Sequence, residues 1–165
     1  MELSLFWKQS NKAVYRKSNS IKDTLFQPNK AATNYAKSLL TSMDASERQV
    51  LGQGLLEEMA RSLSIPVPQL TVNDKRQNHS LKDGKLKRKV YGTYKAGNIV
   101  ISNKTAIREA VLAPKTFLDT LIHEFMHYYD YESLKFPTSL HTAGFYYRLG
   151  DVMKKLIGQE TISNY

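Results

Sequence analysis

The chain has 165 residues, with 24 Lys and Arg against 15 Asp and Glu, and no cysteine. That length suits one hydrophobic core rather than two, and the missing thiols exclude a disulfide framework, a thiolate nucleophile and Cys-ligated zinc. No apolar run approaches the roughly 20 residues that span a bilayer, and the first residues lack a basic leader followed by an apolar stretch, so a cytoplasmic protein without membrane contact is expected.

The net charge of +9 is concentrated. Residues 1–30 carry 6 basic and 2 acidic side chains and residues 72–95 carry 8 and 2, whereas residues 96–165 balance at 7 and 7. Both basic segments suit a polyanion such as nucleic acid, and a solvated basic face accounts for such a run equally well.

Residues 1–30 mix Ser, Asn, Gln and Lys with scattered aromatics and no sustained period, and read as a basic, partly helical arm; residues 31–165 read as a single domain. A helix is predicted at about 31–43. A second begins after Asp44, which caps it with Glu47 three residues on in a capping box, and Leu51, Leu55, Met59 and Leu63 form its apolar face. Pro66 and Pro68 stop it. Gln69–Asn73 alternates as a short strand, polar residues from Asp74 to Ser80 break that pattern, and Asp83-Gly84 is a turn signal. Lys89–Tyr94 and Gly97–Ser102 read as two further strands, giving a small sheet.

Thr116, with Asp119 at N3, is the expected N-cap of the next helix. Phe117, Leu121, Ile122, Phe125 and Tyr129 cover one side of it, and Thr120, His123, Glu124 and His127 the other. After a loop containing Pro137, a final helix is predicted from about His141 to Ile157, with Phe145, Leu149, Val152, Met153 and Leu156 at helical spacing. The whole is an α+β arrangement with N-terminal helices ahead of a three-stranded sheet and two helices behind it.

His123-Glu124-Phe125-Met126-His127 carries the chemistry. Residues four apart on a helix differ by about 40° in direction and rise about 6 Å, so the two imidazoles can share one ion. Glu124 lies close enough to that face to act on a water without being a ligand. With this chain's His and Glu content, such a pattern arises by chance in roughly one sequence in two hundred.

A hydrolytic zinc site takes three protein ligands and keeps one position open. Position 133 is Ser133 and position 147 is Tyr147, so neither a His six residues beyond the second ligand nor a Glu about twenty beyond it is present. His141 is the preferred third ligand, with Asp130 and His79 as weaker alternatives. Asp130 is otherwise a partner for an imidazole N–H.

Three blocks resemble the SprT-like, or Spartan-type, zinc metalloproteases of the minimal zincin group: Tyr91–Ile101, a strand pair ahead of the helix; Phe117-Leu118-Asp119-Thr120-Leu121-Ile122 leading into the metal motif; and His141-Thr142-Ala143-Gly144-Phe145. The likeness covers about residues 68–157. It departs from the family in having Thr142 where a Gly usually follows the third ligand, and no Cys-rich zinc ribbon.

The resemblance implies a zincin-like fold, one Zn²⁺ on His123, His127 and His141, Glu124 as general base, and hydrolysis of peptide bonds in proteins, including proteins associated with nucleic acid. An extended substrate is expected to pair with Asn98–Ser102, and Tyr129, Tyr146 and Tyr147 are candidate oxyanion donors. The rival expectations are a basic nucleic-acid-binding protein, with Tyr91 and Tyr94 between its lysines and a structural or inactive metal site, or an interaction protein on the same scaffold.

Overall fold

A computed structural model describes residues 2–158, with side chains from Ser10 onward. Met1 and residues 159–165, which the expected arm and domain include, lie outside the described residues. In chain order the elements are α1 (Glu2–Ser20), α2 (Lys30–Leu39), α3 (Ala45–Leu63), β1 (Gln69–Arg76), β2 (His79–Lys82), β3 (Lys85–Lys89), β4 (Gly92–Lys95), β5 (Asn98–Lys104), α4 (Pro114–Glu132) and α5 (Ala143–Ile157).

The N-terminal helices start where local chemistry satisfies their orphan N–H groups. Asn29 accepts from Ala32 N at the head of α2, and Asp44 accepts from Glu47 N at the head of α3. The expected capping box forms only by half, because the Glu47 carboxylate takes the Ser42 hydroxyl at 2.7 Å. Arg48, fully buried, then ties α3 to the segment ahead of α4. Its guanidinium donates to Ser42 O, Asn103 Oδ1 and Leu112 O and lies over the Phe117 ring.

Three strands make one sheet in the order β1-β5-β4, with β1 parallel and β4 antiparallel to β5. Ile99 and Ile101 of the central strand are buried against α4 residues of the same core. Ala96 and Gly97 both take positive φ (47° and 80°), the primed turn that suits a two-residue hairpin.

Several local expectations are revised. The polar stretch from Asp74 does not break the strand, since β1 runs on to Arg76; β2 and β3 then form a separate two-stranded hairpin across Asp83-Gly84. Lys89–Tyr94 is not one strand. It divides at Val90-Tyr91 into the end of β3 and the start of β4. Thr116 does not cap α4, which begins at Pro114 after Ala113, with proline filling a first-turn position where no N–H is needed. α5 begins at Ala143, capped by Thr142, whose hydroxyl accepts from Phe145 N.

The expected arm is helical in α1, and its end is built into the core. Ser18 and Phe26 are buried, Ser18 Oγ and Thr142 Oγ1 are 2.8 Å apart, and Asn19 Oδ1 accepts from Gly144 N. Arg148, wholly buried on α5, donates to Ser18 O, Ile21 O and Asp130. Polar composition hid this docking, because the Ser18 and Asn19 side chains and two backbone carbonyls make the anchoring bonds, and none of these leaves an apolar period.

Candidate metal centre

On α4, Phe117, Leu121, Ile122, Phe125 and Tyr129 are buried in the core, as their period requires. The opposite stripe reaches an open cavity of about 570 Å³ whose walls include Thr120, His123, Glu124, His127, His141 and Tyr146 from the helical side. Arg88 through Tyr94 form the facing wall.

His141 leaves the loop before α5 and meets the α4 pair. Its Nε2 lies 3.1 Å from His123 Nε2 and 3.0 Å from His127 Nε2, and the three donor atoms all lie within 4.8 Å of one another. Zn–N bonds of about 2.0–2.1 Å in tetrahedral directions put ligand nitrogens roughly 3.3 Å apart, so the donor set fits such an ion. The Phe145 ring lies under all three imidazoles, at 4.8–5.2 Å between centroids. Among the described residues no fourth His, Asp or Glu joins the group.

Burial makes these imidazoles poor bases. It lowers His123 to about 4, helped by His141, and lowers His127 to about 3, helped by both neighbours. His141 is also lowered by burial, against the pull of Asp130. All three are therefore neutral at neutral pH and offer lone pairs. Glu124 is buried and its carboxyl is raised to about 7 by that burial.

The tautomer of His127 follows from its second contact. Ser139 Oγ donates its one proton to Asp130 Oδ2 at 2.7 Å, so it must accept from His127 Nδ1–H, also at 2.7 Å. Nε2 of His127 then points its lone pair at the other two rings. Asp130 is held in turn by Arg148 at 3.0 Å, both side chains fully buried. Burial raises the Asp130 carboxyl, and the Arg148 guanidinium and the Ser139 hydroxyl work against it.

Asp130 is thus no part of the triad and reaches His127 through Ser139. His79 lies on β2, its ring 3.2 Å from Gln77 O, outside the cluster. Of the three tyrosines, Tyr129 is buried with its hydroxyl toward Leu25 N, and Tyr147 is exposed beside Lys22. Only Tyr146 lines the cavity, its ring 5.9 Å from that of His141.

The strand Asn98–Ser102 cannot accept a peptide, because β5 is paired on both sides. Among the described residues, the unpaired edge of the sheet beside the cavity belongs to β4. Gly92 of that strand lies directly over Glu124: a Cβ there would stand 3.1 Å from Glu124 Cγ and 2.9 Å from Thr120 Cγ2. Ser139 carries no signal in the sequence, and Phe145 and Gly92 are legible there only as a residue of the last helix's apolar face and as a strand residue. Only the N-cap spacing from Thr142 to Phe145 signalled where α5, and with it Phe145, would be set.

Fold and site together define an α+β protein with three histidines close enough to hold a metal ion. Comparison with protein-family models, curated proteins and solved structures gives no match. Among the described residues no helix is long and apolar enough to cross a membrane.

Proposed function

We propose that the chain is a zinc-dependent metallopeptidase of the SprT-like, minimal zincin type, cleaving peptide bonds in extended protein segments. The observation that carries this reading is the convergence of three neutral imidazoles with a carboxylate, Glu124, in one cavity beside a free strand edge. A purely structural site closes its fourth position with another ligand and has no use for a neighbouring base. This weighs against the inactive-scaffold alternative.

Zinc held by His123, His127 and His141 would polarise the scissile carbonyl and acidify a water. The chain's own groups do the rest. The edge of β4 pairs main chain to main chain with the substrate, Glu124 takes the water's proton and returns it to the leaving amine, and the Tyr146 hydroxyl donates to the developing oxyanion.

The test is zinc stoichiometry on purified protein, with cleavage of unfolded casein by wild type and Glu124→Gln. One zinc per chain, with cleavage lost in the variant, is expected. No bound metal, or cleavage undiminished by the substitution, refutes the reading.

A further inference from the structure

The hairpin β2–β3 carries Lys82, Lys85, Lys87, Arg88 and Lys89 against a single carboxylate, Asp83, and all of these residues are exposed. Nearby charges are already matched, Asp74 with Lys104 and Arg76 with Glu109. None of the five hairpin cations forms an ion pair with another described residue. Two of them are not merely surface charge: Arg88 and Lys89 line the same cavity as the three histidines and Glu124.

The chain order gives these two a position relative to the reacting bond. Gly92 lies over Glu124, and Arg88 and Lys89 come four and three residues before it. A peptide laid along β4 advances about 3.3 Å per residue. Four residues of chain reach at most about 14 Å, so Arg88 and Lys89 lie within that distance of Gly92, in the wall of the cavity that such a peptide crosses. Lys95, exposed at the other end of β4, adds positive charge to the opposite flank.

We propose that the wall formed by Arg88 and Lys89 selects acidic peptide segments, by pairing with Asp or Glu side chains that flank the scissile bond. The proposal rests on the peptidase reading for the meaning of that bond, and the binding itself needs no turnover. A peptide is favoured over a nucleic acid as the polyanion because Arg88 and Lys89 stand in the wall of a cavity next to a strand edge. An extended peptide can pair with that edge main chain to main chain, which a nucleic-acid backbone cannot. The Lys89 ammonium, 4.6 Å from the Tyr91 ring centroid, is steered over the strand junction beside that edge.

Binding is read by fluorescence anisotropy at low ionic strength, on full-length, zinc-loaded Glu124→Gln protein. The probes are short labelled peptides with a shared centre and flanks of Glu, Gln or Lys, and a single-stranded DNA oligonucleotide. The Glu-flanked peptide is expected to bind about tenfold more tightly than the Gln-flanked one, as a few partly screened ion pairs allow. Arg88→Gln with Lys89→Gln should erase that preference, and Lys82→Gln with Lys85→Gln, the same loss of charge at the hairpin tip, should retain most of it.

Equal affinity for Glu and Gln flanks, or an equal loss from both double variants, overturns the proposal. DNA binding more tightly than the Glu-flanked peptide also overturns it and assigns the hairpin to nucleic acid. Wild-type protein that leaves casein intact while the preference holds refutes the peptidase reading alone; active protein with no preference refutes the acidic selectivity alone.

Discussion

Ser139 holds its hydroxyl 2.7 Å from Nδ1 of His127, and because it donates to Asp130 it fixes which nitrogen of that ring carries the proton. A serine two residues ahead of His141 thus orients another histidine of the cluster, twelve residues back in the chain. Removing such a partner typically costs ten- to hundredfold in metal affinity. Ser139→Ala is expected to weaken zinc binding by about tenfold in a chelator competition. An unchanged affinity would mean that packing on Phe145 orients the ring unaided.

Tyr146 is the cavity-lining member of the three tyrosines, and burial raises its phenol, keeping the proton it would donate. Tyr146→Phe is expected to lower kcat by about a hundredfold with little change in KM or zinc content. Tyr147→Phe, on the exposed face, should leave all three as they are. Equal behaviour of the two variants would remove Tyr146 from the mechanism.

Gly144 permits the contact that docks α1. A Cβ there would overlap the carbonyl oxygen of Ser18, a backbone atom that cannot swing aside. Gly144→Ala should cost about 2 kcal/mol, a fall in Tm of roughly 4–8 °C for a chain of this size. Since Ser18 also bonds Thr142, next to His141, the same variant should loosen His141. A thermal melt without a shift would show that α1 can be displaced freely.

Asp151 accepts Thr24 N–H, the Thr24 hydroxyl and the Lys155 ammonium, at 2.6–2.8 Å. Burial raises its carboxyl, but these donors outweigh it and hold the group below its ordinary value. A depressed folded pKa stabilises above the unfolded value, near 4, and that stability is lost as the pH falls through the folded one. Asp151→Asn should therefore be less stable than wild type by about 1 kcal/mol at neutral pH. The gap should close below about pH 4. A gap that is constant with pH would mean that the carboxylate charge does nothing.

What the sequence determined by itself is whatever one local period can encode. On a helix, separation along the chain is direction in space, so His123, Glu124 and His127 could be placed on one side of α4, and Leu121 and Phe125 in the core, before any coordinates. Asp44 as a cap and Asp83-Gly84 as a turn are legible for the same reason, since each acts within three residues. Tertiary structure decided what crosses loops. It brought His141 to within 3.1 Å of His123, eighteen residues away, set Ser139 between His127 and Asp130, and joined Ser18 to Thr142 across 124 positions. It also closed β5 on both sides and left β4 as the open edge. No periodicity carries that information, because a loop relays no fixed direction from one element to the next, and the packing of the whole core chooses which distant groups meet.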